Sequence, residues 1–144
     1  MKYLAGILIA IVATVSLAAQ PKGHALLQPA EWKAMQQVIG DQLSALKTGE
    51  GTKALTYSIP GIRQQFGSSE RFLRMVRESY SPLLKARSST FLEGSVVDGV
   101  TIQPLQLVMP DNTVLVALYQ MEKQKDGNWR IAGCAIARST TQST

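Results

Sequence analysis

The sequence predicts an α+β domain in which N-terminal helices pack on a four-stranded antiparallel meander. Three observations carry this expectation. Apolar residues recur every three or four positions from Trp32 to Leu46, and again from Phe72 to Tyr80. Beyond Pro82 the β-branched and aromatic content rises. Turn strings (Asp98-Gly99, Pro110-Asp111-Asn112 and Lys125-Asp126-Gly127-Asn128) then punctuate the chain at intervals of about a dozen residues.

The chain opens on Lys2, an uncharged run from Tyr3 to Val15, and Ser16-Leu17-Ala18-Ala19. A positive start, a short apolar stretch and a small-residue exit are the parts of a secretory signal, so residues 1–19 read as a leader cleaved near Ala18 or Ala19. Export to the periplasm or the exterior follows. The alternative is an uncleaved anchor, because a membrane span needs roughly 17 to 25 apolar residues and Tyr3 to Gln20 approaches that length. Without the leader the chain has a length typical of one domain. Residues 20–28, with Pro21, Gly23 and His24, show no periodicity and read as a flexible lead-in.

A single α+β domain is expected over residues 29–138. Pro29 suits the first turn of a helix and Glu31 favours its positive end. Trp32, Met35, Ile39, Leu43 and Leu46 share one face of that helix, and Gly49 and Gly51 are expected to end it. A shorter helical stretch around Thr52–Ser58 stops before Pro60-Gly61, and Ile62, Gln65 and Phe66 form another turn before Gly67. Ser68 or Ser69 caps a third helix to about Tyr80, with Phe72, Met75, Val76 and Tyr80 on its apolar face. Pro82 closes the helical half.

Four strands are expected at Ser89–Val97, Val100–Met109, Val114–Lys123 and Trp129–Arg138, and short turns make neighbours antiparallel. Pro104 lacks an amide donor, which argues for an edge or a bulge at that point. Leu105, Leu107, Met109, Leu115, Ala117, Tyr119 and Met121 alternate along two strands and form the face covered by helices, joined by Trp129 and Ile131. Residues 139–144 are small and polar and read as a disordered tail.

The same order of elements carries local strings that resemble a known family. Ile62-Arg63-Gln64-Gln65-Phe66-Gly67, Arg71-Phe72-Leu73-Arg74-Met75-Val76, Tyr80-Ser81-Pro82-Leu83 and Asp126-Gly127-Asn128-Trp129-Arg130-Ile131-Ala132-Gly133-Cys134 are similar to a bacterial family known as domain of unknown function number 4864. The resemblance runs from Gln36 to Ala137. It implies a fold similar to nuclear transport factor 2, a curved antiparallel sheet wrapped around helices into a cone with a pocket. No reaction is implied, because cones of that kind include isomerases, dehydratases, transport adaptors and association modules. The resemblance also implies packing roles for Phe66, Phe72, Met75 and Val76, a turn at Gly67, and Trp129 and Tyr119 filling the cone.

Composition excludes more than it selects. Fifteen Lys and Arg against ten Asp and Glu give a charge of +5, which favours acidic partners only weakly, and an exported protein is not expected to meet nucleic acid. A lone cysteine, Cys134, permits no intramolecular disulfide and reads as a small buried hydrophobe. Metal binding needs clustered ligands, and with one histidine and scattered acids neither a metal nor another cofactor is expected. No nucleophile has a companion base, so no catalytic residue is named. Gln36-Gln37-Val38-Ile39-Gly40 fits the Gln-x-Val-x-Gly string of cystatin-type inhibitors, but it lies inside an amphipathic helix, where Val38 and Ile39 are core.

The leading expectation is therefore a non-enzymatic exported module that binds a small apolar ligand or a second copy of itself. Leu105, Leu107, Tyr119, Met121 and Trp129 are the candidate pocket residues. An alternative is a small isomerase- or dehydratase-type enzyme using Tyr119 with an acid such as Glu93. A further alternative is a partner-binding protein of the cell envelope. Arg71, Arg74 and Arg77 step around the polar side of the third helix and are candidates for contact with an anionic surface or membrane.

Overall fold

A computed structural model describes residues 26–139. The leader, its processing site at Ala18 or Ala19, residues 20–25 of the lead-in and residues 140–144 of the tail lie outside the described residues. Helix α1 spans Pro29–Lys47, with Pro29 at its first turn behind an extended Gln28, Glu31 near its N-terminus and Lys47 near its C-terminus. It buries Met35, Ile39, Gln42, Leu43, Ala45 and Leu46, the predicted stripe with Gln42 and Ala45 added and Trp32 only half-buried. Gly49 ends it with a positive φ of 76°.

Gly51 does not end α1 but opens α2 (Gly51–Thr56). The reason is close packing, since a Cβ at Gly51 would sit 2.9 Å from the Leu73 side chain. Helix α3 (Pro60–Phe66) starts at its proline and buries no residue. Ser68 caps α4 (Ser69–Ser79) by accepting the Arg71 amide at 3.3 Å, and α4 buries Phe72 and Val76. Pro82 opens one more turn, α5 (Pro82–Lys85), instead of closing the helical half, because proline is tolerated at a first helical position. Leu83 of that turn is buried. Among the described residues no helix is long and apolar enough to cross a membrane.

The second half is one open antiparallel sheet of β1 (Ser88–Phe91), β2 (Ser95–Val97), β3 (Val100–Val108), β4 (Val114–Lys123) and β5 (Trp129–Arg138). Strands β1 and β2 both pair with β3, so together they make one interrupted edge beside β3, followed by β4 and β5. The β2–β3 turn holds Asp98 and Gly99 at φ of 51° and 77°, the double left-handed geometry of a type I′ hairpin. At the next two turns Asp111 accepts the Thr113 amide and Asp126 the Asn128 amide, each at 2.9 Å. Those amide donors hold both carboxyls below the usual aspartate range. The expected alternation holds on the inner face, where Leu105, Leu107, Ala117, Tyr119, Met121, Trp129 and Ile131 are buried in one core with α1. Met109 and Leu115 pack half-buried against it.

The predicted first strand, Ser89–Val97, is broken by three residues. Phe91 faces Leu105 and Ser95 faces Ile102, so Leu92, Glu93 and Gly94 stand opposite only Gln103 and Pro104. The extra residue is a bulge in the edge, not in the proline's own strand, and β3 is an interior strand. Pro104 accepts the Leu92 amide through its carbonyl at 3.1 Å but has no N–H to return to the Leu92 carbonyl. The fully buried Gln103 supplies that donor, its Nε2 lying 2.8 Å from the Leu92 oxygen and 2.9 Å from the Pro104 oxygen. Gln36 of α1 donates to Gln103 Oε1 at 3.3 Å and so ties the helix to this repair. Gly94 is needed at the break, because any Cβ there would collide with the Trp32 ring.

Replacing Gln103 by Met preserves volume but strips the Leu92 carbonyl of its donor. The expected loss is about 1–3 kcal/mol in urea melts. Pro104→Ala restores a backbone donor at that rung, so the loss from Gln103→Met should be clearly smaller in the Pro104→Ala background; equal losses in both would show that Gln103 does not replace the missing amide.

Candidate functional site

One feature of the β4–β5 ladder shapes the interior. Met121 pairs with Ile131, yet the next pair is Gln120 with Gly133, so Ala132 is an extra residue in β5. Beyond that bulge, Cys134 comes opposite Tyr119 and its side chain joins the covered face. Just before the bulge, the backbone of Ile131 faces outward on β5, the last strand of the sheet. Its N–H donates to Tyr57 O at 2.8 Å and its carbonyl accepts from Ile59 N at 3.0 Å, so the chain between α2 and α3 closes part of the β5 edge.

Between that region and the helices lies a cavity of about 460 Å³. Its helical wall carries Ile62 and Phe66 from α3, and Phe72, Met75 and Val76 from α4. Phe66 and Phe72 meet edge-to-face with centroids 5.5 Å apart, which joins two short helices across the cavity rim. The sheet wall carries Tyr119, Ile131, Ala132, Gly133 and Cys134. Gln42, Ser58, Gln65, Ser79 and Tyr80 add polar groups, and no lining residue is charged.

The buried polar groups are arranged unequally. Gln42 donates to Ala54 O at 3.1 Å and to Ser58 Oγ at 3.3 Å, both inside the protein. Tyr80 donates its hydroxyl to Cys134 O at 2.9 Å, which fixes the end of α4 to β5 just past the bulge. Tyr119 is 1% exposed, and its hydroxyl is sealed from solvent with no oxygen or nitrogen partner. The Cys134 thiol beside it is its weak sulfur partner. Burial, and after it the neighbouring sulfur, raises the Tyr119 hydroxyl well above the usual tyrosine range, so it stays protonated and remains a donor. Burial also pushes the Cys134 thiol up to about 12, which leaves it a poor nucleophile.

Of the five pocket residues expected from sequence, Tyr119 alone lines the cavity. Leu105, Leu107, Met121 and Trp129 are buried and belong to the core that faces α1. Glu93, the acid considered with Tyr119, is exposed and lines a separate surface groove of about 740 Å³ with Trp32, Leu92 and Asp98. That groove is larger, but it contains no buried polar atom without a partner. Arg71, Arg74 and Arg77 are exposed on α4 and none lines the Tyr119 cavity. Among the described residues no group of three or more His, Cys, Asp and Glu side chains could hold a metal. Sequence reasoning missed Gln42, Ser58 and Tyr80 as lining residues. The one available signal for the bulge was Gly133 inside an otherwise apolar strand.

A family profile described as Domain of unknown function (DUF4864) matches residues 28–144. No curated protein and no solved structure matches the chain.

The two tyrosines give opposite expectations. Tyr119→Phe removes a buried hydroxyl with no oxygen or nitrogen partner and should stabilise the protein by about 1 kcal/mol, whereas Tyr80→Phe orphans a carbonyl and should destabilise it by about 1–2 kcal/mol. Thermal melts of the two variants check this, and a destabilised Tyr119→Phe would mean that the hydroxyl is satisfied.

Alkaline pH tests the thiol. Unfolding returns Cys134 to its ordinary value of 9.0, below its folded value of about 12, so the folded state holds a proton that the unfolded state releases. Its contribution is present in full below pH 9 and is lost as pH rises from 9 through about 12. Cys134→Ala should flatten the fall in stability across that interval in urea melts. An unchanged slope would place the thiol in contact with water.

Proposed function

The chain belongs to the domain of unknown function 4864 family, whose description assigns no activity, and from its cavity we propose that it is an exported, non-enzymatic module that binds a small apolar ligand. The observation that carries this reading is the cavity itself, lined by Ile62, Phe66, Phe72, Met75 and Val76 and by no charged side chain. The cavity volume falls in the range that holds small organic ligands. The isomerase-type alternative needs a carboxylate facing the tyrosine, and the acid available to it, Glu93, lines the other groove.

Export is supported by the composition of residues 1–19, and it fits a thiol that needs no reducing compartment because burial keeps it protonated.

Binding can be checked with N-phenylnaphthylamine, an uncharged probe that fluoresces in apolar surroundings. Saturable binding is expected in the micromolar range. Met75→Trp fills the cavity from α4 and should weaken binding at least about tenfold, or about 1.4 kcal/mol. Far-UV dichroism of the variant should match that of the parent. Undiminished binding to this variant would place the probe elsewhere on the protein.

A further inference from the structure

The groove between α1 and the β2–β3 hairpin is built unlike the cavity. Its floor is fixed, because the half-buried Trp32 ring lies against Gly94, and Gln103 is bonded to Gln36, Leu92 O and Pro104 O. Above that floor the surface is apolar and uncovered. Of the six large hydrophobic side chains exposed among the described residues, Leu26, Leu92 and Val96 line this one groove, Leu26 with 88% and Val96 with 50% of its surface open. Exposed apolar surface gathered in one place and rimmed by polar groups marks an interaction site, whereas scattered exposed residues do not.

Two further features say what the groove fits. Its ionisable lining residues, Glu93 and Asp98, are both acidic, although the chain as a whole carries a charge of +5. Neither forms an ion pair with another described residue, so both are free to face a cation. The hairpin does not require the Asp98 charge, since asparagine serves equally at that turn position. The second feature is main chain. The break in the edge leaves Glu93 and Gly94 without main-chain hydrogen bonds to other described residues, and unpaired N–H and C=O groups at a sheet edge are a template for an added extended chain.

We propose that this groove docks an extended peptide segment of a partner protein, one with basic side chains at the two ends of a short apolar run. The segment's main chain pairs with Glu93 and Gly94, its apolar side chains cover Leu92, Val96 and Trp32, and its cations face Glu93 and Asp98. The assignment does not rest on the ligand-binding reading, because groove and cavity share no lining residue.

The test titrates the peptide acetyl-Lys-Leu-Val-Leu-Lys-amide into isotopically labelled protein and follows the backbone amide resonances. Saturable shifts are expected at the Glu93 and Gly94 amides, with a dissociation constant between about 10 and 300 micromolar. Acetyl-Glu-Leu-Val-Leu-Glu-amide should bind at least about tenfold more weakly. Glu93→Gln combined with Asp98→Asn, which keeps the turn chemistry, should weaken the lysine peptide about three- to tenfold, a difference that high salt should largely erase. Methylating the leucine and valine amide nitrogens of the lysine peptide should weaken it at least about fivefold, because it can then no longer donate to the edge. Equal affinity for the lysine and glutamate peptides, unchanged affinity of the methylated peptide, or the absence of saturable shifts at Glu93 and Gly94 overturns the proposal. So does a dimer in sedimentation experiments that Val96→Ser abolishes, since a second copy would then be the occupant.

Discussion

The one-residue shift between β4 and β5 is the constraint on which the interior depends. With Ala132 unpaired, the parity of β5 changes, and Cys134 meets Tyr119 on the covered face. Without the shift, Gly133 would stand there, and Cys134 would point outward. Just before the shift the Ile131 backbone bonds Tyr57 and Ile59, and just after it the Cys134 carbonyl accepts from Tyr80. Two helical connections are therefore pinned to β5 on either side of one irregularity, and the cavity lies where those pins hold the helices against the sheet.

Core and cavity adjoin and share a wall, since Leu46, Phe72, Val76, Leu83, Tyr119 and Ile131 belong to both. Where α1 crosses the sheet, Leu105, Leu107, Met121 and Trp129 are buried in one cluster with Met35 and Ile39. Where the short helices approach, no single long element spans the sheet, and α3 buries none of its residues. Short helices carry fewer apolar side chains per contact, so they leave unfilled space that a long amphipathic helix would close. Gln103 shows the opposite solution for a buried polar group, since each of its amide atoms is used and it holds the interrupted edge together.

Much of this was legible from residue patterns. The spacing of Met35, Ile39, Leu43 and Leu46 located α1, the Asp98-Gly99 pair located a hairpin, and alternation from Leu105 to Met121 identified the covered face. What alternation cannot tell is whether an inward residue meets a helix or empty space, which is why Tyr119 and Leu105 looked equivalent. The break at Leu92–Gly94 was signalled only indirectly by Pro104, whose missing donor acts on the neighbouring strand and not on its own. Gly51 was legible as glycine but not as close contact, because Leu73 comes from a later helix. Long-range packing decided each of these cases, and local propensity carries no record of it.

The proposed link from fold to function runs through the cavity, whose lining is largely apolar and carries no charged side chain. The most direct measurement is a high-resolution crystal structure of the protein as purified from its native compartment. A ligand-binding cavity predicts connected density between α3, α4 and the sheet, in contact with Phe66, Phe72 and Met75. A hollow filled by the side chains of Phe66 and Met75, with no such density, would contradict it.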